Sequence, residues 1–169
     1  MKDNNNELFA EVDSHGNVIA QMTRGEAHSG TKRLHAVVHL HLFNSKGELY
    51  LQHRPSWKDI QPNRWDTACG GHVGWGESIA EALLREVVEE LGIPADSAEF
   101  LGSYIFESSR ERELVYVHRM TYDGDVHPSA DELDGGRFFP IDQIIDLMGK
   151  DFFTPNFESE YRWLQQFHI

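Results

Sequence analysis

The chain has 169 residues, 40% of them hydrophobic, which is enough for one globular domain spanning residues 1–169 with a substantial buried core. Its 15 basic residues against 28 acidic ones leave a formal charge of −13, which opposes binding to the polyanionic backbone of DNA or RNA. The opening segment is polar, no apolar run nears the roughly 20 residues of a membrane span, and the lone Cys69 cannot form an internal disulfide, so a soluble cytoplasmic protein is expected.

In chain order, Leu8 to Val12 and Val18 to Met22 read as a small hairpin joined by the turn-forming residues 13–17. A loop carrying Arg24 and His28 leads into Leu34 to Phe43, where an apolar face (Leu34, Ala36, Val38, Leu40, Leu42) alternates with a face holding His35, His39 and His41. After the turn Asn44-Ser45-Lys46-Gly47, Glu48 to Arg54 reads as the returning strand. Residues 55–65 read as a loop and Asp66 to Ala68 as a further strand. Ser78 to Leu91 is the clearest helix, with Ala80, Leu83, Leu84, Val87, Val88 and Leu91 forming its apolar stripe. Ser78 with Glu81 is a capping box, and Gly92-Ile93-Pro94 is a stop. Phe100 to Phe106 and Leu114 to Met120 read as a strand pair, and Gly136 to Phe139 as a short last strand. Helices at Ile141 to Met148 and from Pro155 onward, capped by Thr154, close the chain. This order predicts an α/β fold, a mixed sheet with helices on its faces.

The central helix carries Glu86, Glu89 and Glu90 at i, i+3 and i+4, which share one face, roughly opposite the apolar stripe at about 100° per residue. Clustered like charges repel, and carboxylates without thiolates suit a hard cation such as magnesium, which shares its remaining positions with substrate phosphates. A solvated acidic face is the ordinary explanation of three such glutamates. The preceding segment Gly70-Gly71-His72-Val73-Gly74-Trp75-Gly76 adds a second signal: it reads as a glycine-rich loop entering a helix, where backbone N–H groups can approach phosphate.

Gly71, five residues, Glu77, seven residues, then Arg85-Glu86-Val87-Val88-Glu89-Glu90-Leu91-Gly92-Ile93 resembles a complete Nudix box. The resemblance implies an α/β/α sandwich that hydrolyses a nucleoside diphosphate linked to another moiety. It also implies Mg2+ or Mn2+ on Glu86, Glu89 and Glu90, the Gly71 carbonyl as a further ligand, and Glu77 with Arg85 as an orienting pair. Arg85, Glu89, Glu90 and Glu113 are the candidate catalytic residues, with Glu90, Glu113 and Glu132, in that order, as candidates for the general base.

From about Asp13 to Glu113 the chain is also similar to isopentenyl diphosphate isomerases, which share the Nudix fold. Their metal-site pattern falls on His28, His35, His72, Glu111 and Glu113, implying a second divalent transition metal, and their diphosphate-binding residues fall on Arg24, Arg54 and Lys58. Two departures weigh against isomerase activity. Gly70 stands where those enzymes place a catalytic cysteine, Cys69 being one residue early and so on the opposite strand face; and the full glutamate box, which they lack, is present. His39 and His41 fit neither pattern and are expected on a partly exposed strand face. A hydrolase of a small diphosphate compound is the leading reading, with an isomerase-like enzyme or a non-catalytic diphosphate-binding module as alternatives.

Overall fold

The computed structural model describes residues 4–58 and 60–169; residues 1–3 of the polar opening segment and Asp59 of the 55–65 loop lie outside it. A mixed sheet is built around the ten-residue strand β3 (Leu34–Phe43). Along one edge β3 runs parallel to β8 (Arg112–Thr121), which pairs antiparallel with β7 (Glu99–Glu107). Its other edge is shared by three strands in turn. His35 meets β1 (Leu8–Val12), residues 37–40 meet β6 (Cys69–His72), and residues 42–43 meet β4 (Leu49–His53). β2 (Val18–Thr23) extends the sheet beyond β1, while β5 (Trp65–Thr67) and β9 (Gly136–Phe139) flank β4.

Helices cover both faces of this sheet. Ala36, Val38, Leu40 and Leu42, the even positions of β3, pack under α2 (Ile79–Leu91) with Ala82, Leu83, Val87 and Leu91. Val37, on the odd face, packs with Val115, Val117 and the residues Phe157, Tyr161 and Leu164 of α4 (Pro155–Leu164), beside α3 (Ile141–Leu147). The mixed sheet with helices on its faces expected from the order of elements, and the α/β/α sandwich implied by the resemblance, are therefore present, with two apolar layers separated by β3. Among the described residues no helix is long and apolar enough to cross a membrane.

The helix ends follow their side-chain chemistry. Glu81 N–H donates to Ser78 Oγ at 3.1 Å while Ser78 N–H donates to Glu81 Oε2 at 2.8 Å, and Gly92 closes α2 at φ +62°, a conformation glycine adopts without penalty. Thr154 caps α4, with Phe157 N–H at 3.1 Å from its Oγ1.

Four expectations change. The loop after β2 contains a short helix, α1 (Arg24–Ala27), started by a Thr23–Glu26 capping box that the loop reading passed over. The glycine-rich segment is a strand over Gly70 to His72, because β3 offers an open edge for β6, and becomes a turn only from Gly74. In α2, Leu84 and Val88 are exposed while Glu90 is buried: the helix is rotated so that Glu86 and Glu90 look toward the sheet over β6 rather than away from the core. Finally, His41 is fully buried against α4, not partly exposed, because Glu160 in the apolar stripe of that helix supplies a buried partner.

Candidate active site

A cleft of about 640 Å³ opens where β6, α2 and the ends of β4 and β5 meet. Its lining includes Gly70, Gly71, Glu86, Glu89, Glu90 and Glu132 on one side, and His72, Glu111, Glu113 and His39 on the other. Arg24, Arg54 and Lys58 also line it, so the three basic candidates reach the same opening as the acidic ones.

The glutamate side depends on the absence of side chains at Gly70 and Gly71 in β6. A Cβ built on Gly71 would overlap the Glu86 carboxylate, so glycine there lets the helix carboxylates sit directly on the strand. Gly70 N–H donates to Glu90 Oε2 at 3.4 Å. Arg85 fixes the outer rim: its Nε and Nη2 form a two-pronged pair with Glu77 at 2.8 and 2.9 Å, Nη2 also reaches the His72 carbonyl at 3.0 Å, and Nη1 reaches Glu86 Oε1 at 2.6 Å. Glu77 in turn accepts from Gly74 N–H at 2.8 Å, tying the turn to the helix. Glu89 is more than half exposed and Glu90 nearly closed off. Burial, and then the charge of Glu86, pushes Glu90 up to about 8. Burial also raises Glu86, with Glu89 and Glu132 adding to the repulsion. Glu132, in the loop before β9, is thus electrostatically part of the cluster.

The histidine side is a second convergence. One ligand atom from each of His28, His35, His72 and Glu111 lies within 4.8 Å of the others. His28 Nε2 is 3.1 Å from His72 Nε2 and 2.9 Å from Glu111 Oε2, and Glu113 Oε1 stands 3.9 Å from His35 Nε2 and 4.0 Å from His72 Nε2. Phe9 stacks on His72 at 4.6 Å and on His35 at 5.8 Å, forming an apolar wall the sequence reading did not identify. Burial holds His72 well below its ordinary value and lowers His35, which keeps both rings neutral and able to coordinate. His35 Nε2 is buried without a hydrogen-bond partner, and burial followed by the Glu111 charge pushes Glu113 up to about 7. An orphaned imidazole nitrogen beside Glu113, a carboxyl that resists ionisation, is the condition a cation would relieve.

Of the basic residues, Arg24 donates to Glu7 Oε2 at 3.2 Å. Arg54 Nε and Nη2 bond the carbonyls of Ile60 and Gln61, and its Nη1 lies 3.5 Å from Asp66. Lys58 Nζ stands 5.0 Å from the centroid of the Trp57 ring.

The sequence reading also missed a buried network under the cleft floor. Glu160 accepts from His39 Nδ1 at 2.7 Å and from His41 Nε2 and Tyr104 Oη. Burial disfavours charge on both His39 and Glu160, but their pairing outweighs it: His39 is held up at about 9 and Glu160 well below the ordinary carboxylate range. The available signal was a glutamate at an i, i+3, i+4, i+7 position of an otherwise apolar helix face, Phe157, Glu160, Tyr161 and Leu164.

A NUDIX domain profile matches residues 32–164. The chain belongs to the Nudix family. An uncharacterised Nudix hydrolase of Streptomyces coelicolor is 31% identical over 163 residues, covering 94% of this chain and 88% of that protein. Isopentenyl-diphosphate Delta-isomerase II of Camptotheca acuminata is also 31% identical over 163 residues and 82% of this chain, but the chain spans only about half, 53%, of that plant protein. Among solved structures, the Deinococcus radiodurans protein DR0079 superposes with a TM-score of 0.79 at 25% identity, covering 92% of this chain and 98% of that one. This Nudix chain therefore has both hydrolase-named and isomerase-named relatives.

Proposed function

We propose that this Nudix protein is a Mg2+- or Mn2+-dependent hydrolase, acting as one domain on the diphosphate linkage of a nucleoside diphosphate derivative or similar small compound. The observation that carries the reading is the packing of Glu86 and Glu90 onto the Gly70-Gly71 stretch of β6, with Glu89 at the rim, in a cleft that also holds Arg24, Arg54 and Lys58. Buried carboxylates that repel one another, with Glu90 raised to about 8, fit a hard divalent cation. Glu86, Glu89, Glu90 and the Gly71 carbonyl would hold it. When bound, the ion supplies charge neutralisation of the diphosphate and acidifies water for attack at phosphorus.

The chain's own residues do the rest. Arg85 orients Glu86 through the Glu77 pair and closes the rim. The basic trio binds phosphate oxygens, giving the local positive charge that a net charge of −13 otherwise denies an anionic ligand. Proton acceptance falls first to Glu90, then to Glu113 and Glu132, all on the cleft wall. His28, His35, His72, Glu111 and Glu113 would hold a second ion, and a mixed N/O set suits zinc, manganese or iron better than magnesium. A small phosphorylated substrate and a single reduced cysteine fit the cytoplasm.

The histidine cluster and the isomerase-named relatives favour a second reading, isomerisation of isopentenyl diphosphate. Gly70 argues against it: it offers no acid, base or thiol, and the His39 ring fills the space its side chain would take. Purified protein incubated with magnesium and a panel of nucleoside diphosphate derivatives and isopentenyl diphosphate separates the readings by product. Split diphosphate is expected; dimethylallyl diphosphate would establish the isomerase, and unchanged ligand a binding module.

A further inference from the structure

In the β3–β6 register His39 stands opposite Gly70, and the two occupy the same face of the sheet. A Cβ on Gly70 would lie 3.0 Å from His39 Cδ2 and 3.3 Å from Nε2, so the distal edge of the imidazole rests over the glycine, on the cleft wall. About a fifth of the His39 side chain stays accessible, whereas that of His41, two residues on, has none. The proximal edge is committed: Nδ1 donates to Glu160 Oε2 at 2.7 Å. Glu160 itself is closed in, at 1% side-chain exposure, with His41 and Tyr104 as its other donors. A purely structural network of these groups would have no need of a ring that reaches the cleft.

We propose that His39 contacts the substrate, its Nε2–H binding a phosphate oxygen of the diphosphate while Glu160 aims the ring. Neither glutamate box nor histidine cluster includes these two residues. Glu160 is the positioning residue. Pairing with the closed-in Glu160 holds His39 as an imidazolium, and with one N–H bonded to that carboxylate and the other facing the opening it is a fixed, charge-assisted donor of the kind that suits phosphate oxygens. Its surroundings favour an anion only when that anion is metal-bound, since Glu113 and Asp66 also line this part of the cleft. The requirement for an open ring edge explains Gly70: any side chain there would displace the imidazole. The inference rests on the diphosphate reading above and adds a specific contact to it.

The test is a titration of the 15N-histidine-labelled full chain with methylenediphosphonate at saturating Mg2+, the His39 signals being assigned by their loss in His39→Asn. Asparagine is short enough to keep a bond to Glu160 and too short to reach the ligand. The His39 Nε2 resonance is expected to move on binding, with His39→Asn weakening the diphosphonate about tenfold, as for loss of one charge-assisted bond. Glu160→Gln is expected to shift the His39 Nδ1 resonance in the free protein and to weaken the ligand less, while Mn2+ affinity stays unchanged in both variants. An unmoved Nε2 signal with wild-type affinity in His39→Asn overturns the inference and leaves hydrolysis standing. Absence of diphosphonate binding by the wild-type protein overturns both. Should His39→Asn fail to fold, the His39 ring is assigned through bonds in uniformly 13C,15N-labelled wild type, and its Nε2 resonance either moves with the ligand, as expected, or stays in place, which overturns the inference.

Discussion

Replacing Glu90 with glutamine is expected to stabilise the metal-free protein at neutral pH. Outward placement on an acidic helix face would make this substitution neutral, but the side chain is buried against Gly70 and beside Glu86. Burial and the Glu86 charge raise its folded-state value from 4.5 to about 8. A carboxyl raised on folding favours the folded state fully only below its unfolded value, and that contribution is lost as pH rises from about 4.5 toward 8. At 1.36 kcal/mol per unit, the span from 4.5 to 7 corresponds to about 3 kcal/mol; because Glu86 shares the repulsion and gains from its removal, about 1 to 3 kcal/mol should be recovered by the glutamine. Urea unfolding with a chelator, at pH 5 and at pH 7.5, reads this directly. Wild type should lose stability between the two, Glu90→Gln should lose less, and excess Mg2+ should reverse the order by stabilising only wild type. Equal pH dependence in the two proteins would refute a buried carboxylate cluster at this position.

Gly71→Ala places a methyl into the Glu86 carboxylate and should cut Mn2+ affinity at least about tenfold, measured by calorimetry, since displacing one ligand or its support costs that order. Glu160→Ala leaves His39 and His41 without their shared partner and should cost about 3 to 5 kcal/mol in urea unfolding at pH 7; a loss under 1 kcal/mol would mean the network is dispensable. Ser78→Ala removes the α2 cap and should cost about 1 kcal/mol while leaving metal affinity within twofold. No isomerisation of isopentenyl diphosphate is expected by proton NMR, and conversion to dimethylallyl diphosphate would show that another group substitutes for the thiol missing at Gly70.

Elements whose periodicity is strong were legible in the sequence: β3 spans Leu34 to Phe43 as read, and α2 runs to Leu91 behind the Ser78 cap. The rotation of α2 was not, because Ala80, Leu84 and Val88 count as apolar in any periodic reading, while the glutamates turn inward only once Gly70 and Gly71 of β6 make room. For the same reason Gly70 and Gly71 read as loop residues: glycine usually marks turns, and here it marks close approach of a helix carboxylate and a histidine ring. His28, His35, His72 and Glu111 were brought together as the isomerase-like pattern implied, although they come from an α1 cap, β3, β6 and the turn just before β8. Glu160 was marked only as a glutamate in an apolar helix face; its pairing was not legible, because His39 and His41 lie about 120 residues earlier and no local signal pairs a helix glutamate with histidines on a distant strand.

The most direct test of diphosphate hydrolysis is turnover in 18O-labelled water, comparing wild type with Glu90→Gln at saturating Mg2+ on the compound from the panel that the wild type consumes fastest, followed by 31P NMR. The expected result is loss of the P–O–P resonances, one 18O in a single phosphate product, and at least about a hundredfold lower rate in the variant, as for loss of a group required in the transition state. Intact P–O–P resonances across the whole panel, or an undiminished rate in Glu90→Gln, would contradict it.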